Sequence, residues 1–290
     1  MKTTQLHSYL LALLTTLLWS FPYVLTPIVL QDFSVSSLAL IRCAVASAAL
    51  GCFVIAKGLP VPPLAVFPWF ILGGATGFAV YFMAFNRGTL LLNATMTCIL
   101  VSSAPIIIAL LAQYFYHETL KRKEWLAIAA AFGGVLVMTL WGGSIVLTEG
   151  VFWVLGAAFL ASVFMVLQRS LSRQYPPLLT ISYSYIAATL MLLPFLPATL
   201  EELGAASANG IVLAVSLGAL PSALGYFSWI KAISLAERTS DVANFMFLTP
   251  FLAFLLDYLI TGQLPGAGTY IGGSVILASL FFFTMSRKAG

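Results

Sequence analysis

The sequence predicts an all-α integral membrane protein with ten transmembrane helices, arranged as two inverted repeats of five helices. Three observations predict this class. The 290 residues are 61% hydrophobic and only 8% charged, whereas about 25% of the residues of a water-soluble domain are charged. Ten apolar runs approach the length of about 20 residues that a helix needs to cross a bilayer. A Tyr-Phe pair and a proline within the apolar runs also recur at a spacing of half the chain.

The ten apolar runs are assigned to helices because non-helical backbone cannot face lipid. Short connections containing glycine and proline separate them. No connection is long enough to hold a soluble catalytic or nucleotide-binding domain. The predicted spans are Tyr9–Leu30, Ser34–Ala56, Leu64–Asn86, Leu90–Tyr116, Glu124–Trp141, Gly150–Gln168, Leu178–Leu196, Asn209–Ile233, Val242–Gly262 and Gly266–Met285.

The basic residues predict the orientation of the chain, because cytoplasmic loops carry an excess of lysine and arginine. If the amino terminus is inside, most of the 13 basic residues fall in inner segments, while Arg87 is the basic residue of the outer connections. We therefore expect a multi-pass protein of the bacterial inner membrane with both termini cytoplasmic. The first run is too long for a secretory signal and lacks a small-residue cleavage site, so we expect it to be retained. The inner basic residues are Lys2, Lys57, Lys121, Arg122, Lys123, Arg169, Arg173, Lys231, Arg238, Arg287 and Lys288.

An internal repeat divides the chain at its midpoint. Tyr81-Phe82 recurs 145 residues later as Tyr226-Phe227, and Pro105 recurs at the same offset as Pro250. Residues 1–145 and 146–290 are therefore predicted to form one five-helix repeat each. Because five is odd, the two halves enter the membrane in opposite orientations. Inverted repeats are typical of secondary transporters, although duplication could also serve only to build a ten-helix bundle.

Short patterns distributed along the spans match a known group of membrane proteins. They are Leu17-Leu18-Trp19-Ser20, Leu38-Ala39-Leu40-Ile41-Arg42, Tyr81 to Arg87, Pro105 followed by His117-Glu118-Thr119-Leu120, and Pro250 followed by Gly262-Gln263-Leu264. The chain resembles the drug/metabolite transporter superfamily in its EamA branch, and in particular exporters of aromatic amino acids. His117 replaces the glycine of the family pattern and Gln263 replaces the acid. The resemblance implies gradient-linked efflux or exchange of small metabolites through a cavity among helices 1, 3, 4, 6, 8 and 9.

Aromatic residues on these helices predict the walls of a substrate pocket. Pairs spaced by three or four residues share one face on the first, third and eighth spans. A pocket with aromatic walls and a few polar groups suits a flat, apolar metabolite with charged ends. Packing between neighbouring helices is the alternative interpretation. The predicted aromatic substrate contacts are Trp19, Tyr23, Tyr81, Phe85, Tyr226 and Trp229.

Prolines and polar side chains within the spans complete the predicted site. Pro105 and Pro250 remove hydrogen-bond donors and are predicted to break the fourth and ninth helices where these line a cavity. Ser102 lies on the same face of the fourth helix as Pro105, and Asn244 lies beside the corresponding face of the ninth helix. Both are predicted to contact the substrate, although either side chain could instead form a hydrogen bond to a neighbouring helix. Gln168 is added as a substrate contact because the repeat offset aligns it with Tyr23.

Arg42 is the charge that most needs an explanation, because it lies about 12 Å along its helix, where a guanidinium facing lipid is expensive. Two interpretations stay open. Arg42 could bind a carboxylate of the substrate, or it could tie the second helix to backbone carbonyls of its neighbours. Asp257 is a candidate for proton coupling if it is buried.

The sequence contains no Walker lysine loop, dinucleotide fingerprint or Cys/His metal cluster. We therefore expect no enzyme activity, metal or cofactor, and the scattered basic residues argue against nucleic acid. The expected partners are a small-molecule substrate such as an amino acid and the lipid bilayer, with monomer and homodimer both open. The predicted function is export or exchange of aromatic or large apolar amino acids by alternating access. Transport of other metabolites or drugs and a passive channel are the alternatives.

Overall fold

The structure is a computed structural model that describes residues 3–117, 120–141, 149–236, 242, 244–262 and 264–288. Within these ranges every regular element is helical, which confirms the predicted all-α class. The helical segments are α1 (Thr3–Val29), α2 (Val35–Ala56), α3 (Leu64–Thr89), α4 (Ala94–Tyr116), α5 (Arg122–Leu140), α6 (Glu149–Leu171), α7 (Pro177–Ala205), α8 (Ala208–Leu235), α9 (Thr249–Thr261) and α10 (Ala267–Lys288).

Seven of these described segments are long and apolar enough to cross a membrane, namely α1 to α4 and α6 to α8. The apolar parts of α9 and α10 are shorter, at Thr249–Thr261 and Ala267–Phe283. The largest difference from the predicted spans lies in α7, which continues past Leu196 to Ala205. Pro194 and Pro197 do not end it because each occupies the first turn of a new helical stretch, where no amide donor is needed.

Two of the long segments contain a π-helical turn in their middle. The turn in α3 covers Ala75–Ala79 and the turn in α8 covers Gly218–Leu224. Pro221 lies inside the second turn and cannot donate a backbone hydrogen bond. Such turns widen a helix locally and are frequent at functional sites. The two turns occupy overlapping positions when the halves of the chain are aligned with the offset of 145 residues.

The fourth and ninth segments share an interrupted form. The regular helix of α4 stops at Val101 and resumes over Ala104–Tyr116. A 3₁₀ turn over Asn244–Leu248 precedes α9. Pro105 and Pro250 are each the second residue of their helices, and each helix ends at a residue in the left-handed conformation. These left-handed residues are His117 (φ 55°) and Gly262 (φ 69°), which again lie 145 residues apart.

Contacts between the segments pair the first half of the chain with the second. The main contacts join α5 to α10, α1 to α8, α3 to α6, α2 to α7, α3 to α7, α4 to α6, α2 to α8 and α1 to α9. Glycines allow the closest of these approaches. A Cβ atom at Gly134 on α5 would lie 2.8 Å from the carbonyl oxygen of Gly272 on α10, and one at Gly74 on α3 would lie 2.6 Å from the carbonyl oxygen of Ser184 on α7. The two halves are therefore packed into each other along their length.

Candidate functional site

A cavity of about 480 Å³ lies in the interior of the helix bundle, between the two halves of the chain. Residues of every segment except α5 line it within the described part of the chain. The wall is mostly aromatic and aliphatic, with a few hydroxyl groups and one guanidinium. Sites for small molecules typically have this volume and this mixture of apolar walls with a few placed polar groups.

Most of the residues predicted as substrate contacts meet in this cavity, although they are far apart in the sequence. The predicted residues that line it are Trp19, Tyr23, Arg42, Tyr81, Phe85, Ser102, Tyr226 and Trp229, together with both prolines, Pro105 and Pro250. The site thus combines α1 to α4 from the first half with α8 and α9 from the second.

Gln168 does not line the cavity. Its side-chain amide donates hydrogen bonds to the hydroxyl oxygens of Thr180 and Ser172, so it ties the end of α6 to the start of α7. The cavity wall on α6 is formed instead by residues such as Phe164 and Met165, one turn earlier. The side chain of Asn244, the other predicted contact, lies outside the described part of the structure.

Trp19 is held in the wall by contacts to α8. Its indole Nε1 donates a hydrogen bond to the carbonyl oxygen of Pro221 at 3.1 Å. Its ring centroid lies 5.3 Å from that of Tyr226 and 5.4 Å from that of Trp229. Gly225 makes room for the indole, since a Cβ atom there would lie 2.8 Å from Nε1. Trp19 therefore has a fixed position against the π-helical turn of α8.

A second aromatic group lies at Tyr23, Tyr81 and Phe85. The ring centroid of Phe85 is 5.5 Å from that of Tyr23 and 5.8 Å from that of Tyr81. Tyr23 and Phe85 are buried, and they pack with the buried thiol of Cys98 on α4. Tyr23 and Phe85 also line the cavity, and they form its wall toward the end of the bundle at which α1 and α3 end.

The same end of the bundle is tied together by polar contacts between the two halves. Arg87 forms an ion pair with Glu149 at 3.2 Å. Ser207 donates a hydrogen bond to the Asp32 carboxylate at 2.6 Å, and Glu202 accepts one from a backbone amide of the α1–α2 connection at 2.8 Å. These contacts join the α1–α2 connection to the α7–α8 connection, and the end of α3 to the start of α6.

Sequence reasoning missed Tyr185 on α7 and Phe82 on α3 as parts of the wall. Tyr185 is fully buried and stacks on Phe78 with a centroid distance of 3.6 Å, and its hydroxyl group has no hydrogen-bond partner among the residues that the structure describes. The sequence signal for Tyr185 was a tyrosine within an apolar span, because the hydroxyl group of a buried tyrosine normally has a hydrogen-bond partner. Phe82 directly follows Tyr81 in the repeated Tyr-Phe pair.

Arg42 enters the cavity from α2, and 3% of its surface is exposed. Its guanidinium carbon lies 3.9 Å from the centroid of the Phe82 ring, a cation–π distance. Its Nε and Nη1 atoms are buried and have no hydrogen-bond partner within the described ranges. Among the described residues that line the cavity, Arg42 is the only charged one.

Asp257 on α9 is also buried, with 8% of its surface exposed. Its carboxylate accepts hydrogen bonds from Thr95 at 3.4 Å and Thr261 at 3.3 Å. It lies outside the cavity lining and links α9 to α4.

The described residues contain no group of three or more His, Cys, Asp or Glu side chains placed to hold a metal ion.

Comparison with known proteins identifies the family. The model of the EamA-like transporter family matches residues 6–140 and, a second time, residues 148–285. The chain belongs to the EamA-like transporter family. This EamA protein is therefore a multi-pass membrane transporter, which confirms the resemblance noted in its sequence patterns. The names of its relatives likewise indicate transporters rather than enzymes.

Two curated relatives cover most of the EamA chain. One, named as an uncharacterized transporter YdfC of Bacillus subtilis, is 30% identical over 254 residues, which are 87% of this chain and 83% of that protein. Another is named as a probable terminal-alkyne amino-acid exporter of Streptantibioticus cattleyicolor. It is 30% identical over 278 residues, which are 95% of this chain and 93% of that protein.

A solved crystal structure shares the fold of this EamA chain. The match has a TM-score of 0.65 and covers 97% of this chain and 98% of the other. The two sequences are 16% identical, so the similarity concerns the fold alone.

Proposed function

We propose that this EamA transporter is a secondary carrier that exports or exchanges aromatic or large apolar amino acids by alternating access. The observation that carries the proposal is the cavity, whose described residues combine an aromatic wall with one buried guanidinium. The faces of Trp19, Tyr81 and Tyr226 suit a flat apolar side chain. The relative named as a probable exporter of a terminal-alkyne amino acid supports a cargo with an apolar, unsaturated side chain.

The polar groups of the wall match the other end of an amino acid. Arg42 offers donors for a carboxylate, and the hydroxyl groups of Ser102 and Thr249 can accept hydrogen bonds from an ammonium group. Pro250 directly follows Thr249, and Pro105 lies three residues after Ser102. Each proline is in the first turn of a helix that begins after an interruption, and it has no amide with which to bond back across that interruption. Polar backbone near the middle of a membrane protein is typical of substrate sites built on discontinuous helices.

The proposal includes ten spans in two inverted repeats, residues 1–145 and 146–290. The helix contacts support it. Each helix has a counterpart five helices away in the chain. Exchanging every helix with its counterpart converts the α1–α8 contact into the α6–α3 contact, and the α1–α9 contact into the α6–α4 contact. All four contacts are present. The α2–α7 and α5–α10 contacts turn into themselves. The two separate matches of the family model, one in each half, support this division.

Alternating access is supported by the closure of one end of the cavity. Tyr23 and Phe85 pack together there, and the ion pair between Arg87 and Glu149 lies at the same end. We assign this end to the outside of the cell membrane, with both termini in the cytoplasm, on the basis of the distribution of basic residues. The described conformation is then closed toward the outside.

The test is counterflow in vesicles reconstituted with the purified full chain. Vesicles loaded with unlabelled phenylalanine or tryptophan should accumulate the labelled amino acid transiently, whereas vesicles without protein should not. If a different metabolite or drug of the superfamily type drives counterflow and neither amino acid does, the substrate proposal fails and the carrier mechanism stands. Ion conductance without counterflow would instead indicate a passive channel.

A further inference from the structure

The guanidinium of Arg42 is a buried charge, and no residue in the described part of the chain is its counter-ion. Its Nε and Nη1 donors have no acceptor among those residues, and the other described residues lining the cavity are uncharged. An arginine remains protonated even when buried, so this group does not escape its desolvation cost by losing its proton. A charged side chain within a membrane protein needs a partner, and its partner marks a functional site.

The described surroundings of Arg42 do not supply that partner. If Arg42 were a structural tie, backbone carbonyls would accept from its Nε and Nη1 atoms, and the described residues contain no such bonds. The contact it does make is with the ring of Phe82, 3.9 Å from the guanidinium carbon. A cation–π contact of this kind occupies a face of the guanidinium and leaves the N–H groups at its edge available.

An ammonium group finds no comparable partner among the cavity residues that the structure describes. No aspartate or glutamate lies among the described residues of the lining. Asp257 lies outside the lining and accepts hydrogen bonds from Thr95 and Thr261. The charge of the described wall is therefore positive, and the groups left for an ammonium are hydroxyls, carbonyls and aromatic faces.

We infer that this site recognises its cargo through a carboxylate bound by Arg42, with the amine contributing little, so that the substrate class is apolar monocarboxylates whether or not they carry an amine. The inference rests on the proposed carrier function and specifies the charge that the same cavity selects. It extends the cargo beyond amino acids to their analogues that lack the amine.

Three probes of one shape separate the two charges: phenylalanine, 3-phenylpropionate, which lacks the amine, and phenethylamine, which lacks the carboxylate. Each is added to the purified full chain in detergent, and the thermal unfolding midpoint is followed with ligand concentration. We expect phenylalanine and 3-phenylpropionate to raise the midpoint with affinities within about tenfold of each other, and phenethylamine to leave it unchanged.

Variants of Arg42 test whether this residue provides the selectivity. Arg42→Gln should weaken binding of 3-phenylpropionate about 10- to 100-fold, because a hydrogen bond to a charged group is lost. Arg42→Lys, which keeps the charge but loses the planar fork, should lie between. Lys57→Gln is the matched control, because Lys57 is an exposed cation at the end of the same helix, α2, and lies outside the cavity.

The outcomes of these measurements separate the inference from the proposed function. The inference would be overturned if phenethylamine stabilised the protein as strongly as 3-phenylpropionate does. It would also be overturned if neither carboxylate stabilised the protein, even if phenylalanine shows counterflow. Binding of 3-phenylpropionate that depends on Arg42, without counterflow of any amino acid, supports the inference and overturns the amino-acid proposal. If Arg42→Gln does not fold, the comparison of the three probes on the unaltered protein still decides the charge preference.

Discussion

The indole nitrogen of Trp19 on α1 donates a hydrogen bond to the carbonyl oxygen of Pro221 inside the π-helical turn of α8. This bond connects an aromatic wall residue of the first half to an irregular turn of the second. A π-helical turn displaces backbone carbonyls from their regular partners, so the turn can offer an acceptor to a side chain. The position of the indole therefore depends on both halves of the chain.

Trp19→Ala should lower counterflow at least tenfold while the protein remains folded, because a wall of the cavity and its bond to Pro221 are removed. Trp19→Phe keeps an aromatic ring without the N–H donor and should lose less. Trp69→Ala is the control, since Trp69 is 52% exposed and lies outside this cavity. If Trp19→Ala instead prevents folding or expression, the residue belongs to the packing of the bundle rather than to the substrate site.

Gly225→Ala should impair transport because it displaces the side chain of Trp19. The added methyl group would lie 2.8 Å from the indole nitrogen and force the ring to move. In a double-mutant cycle, Gly225→Ala should add little to the effect of Trp19→Ala, because the clashing ring is already absent. Gly156→Ala on α6, where no atom lies within 4 Å of the added carbon, should leave counterflow unchanged. Fully additive losses in the double mutant would contradict this account.

His117→Gly should stabilise the protein by about 0.5–1 kcal/mol, because His117 ends α4 in the left-handed conformation that glycine adopts without steric cost. The equivalent end of α9 already carries a glycine, Gly262. Gly262→Ala should accordingly lower stability by about 1 kcal/mol. Thermal or denaturant unfolding in detergent measures both changes, and a lower midpoint for His117→Gly would refute the argument.

Weakening the polar contacts at the closed end should favour opening there. Asp32→Ala removes the acceptor of Ser207, and Arg87→Gln removes the ion pair with Glu149. Because exposed ion pairs contribute up to about 1 kcal/mol, each change should increase opening about two- to fivefold.

The buried thiol of Cys98, which packs against Tyr23 at this end, can report the opening. With Cys43 and Cys52 replaced by alanine, its reaction with a membrane-impermeant thiol reagent should be faster in the Asp32→Ala, Arg87→Gln double variant. Cys98→Ala in the same background should abolish labelling. An unchanged labelling rate would show that these contacts do not hold the end closed.

The sequence predicted where polar and aromatic groups lie along the helices better than which way they face. Trp19, Tyr81 and Tyr226 were found because their spacing and recurrence are visible in the chain. Gln168 was chosen from the repeat offset alone, yet the wall position on α6 belongs to Phe164, which the same offset aligns with Trp19. An offset preserves the depth of a residue, whereas its partners depend on how each helix is rotated in its own half.

Other features needed the three-dimensional structure because they arise from backbone irregularity or long-range packing. The π-helical turns in α3 and α8 are not encoded by a periodic pattern, and Pro221 alone does not distinguish a π turn from a kink. Tyr185 reaches the cavity because α7 packs closely against α3, where Gly74 leaves no side chain in the way. A single side-chain hydroxyl in an apolar span gives little indication of such an approach.

The α2–α7 and α5–α10 seams turn into themselves when the two halves are exchanged. A substitution in one of these seams should therefore affect the two conformations differently from a substitution in any other helix contact. Under the proposed exchange of conformations, each half adopts the arrangement that the other had before, so a contact on the axis of that exchange keeps its form. A substitution at Gly134, on the α5–α10 seam, would then raise the free energy of both conformations alike. It would lower the melting temperature without changing the ratio of the two conformations, whereas a substitution at Trp19 would bias that ratio.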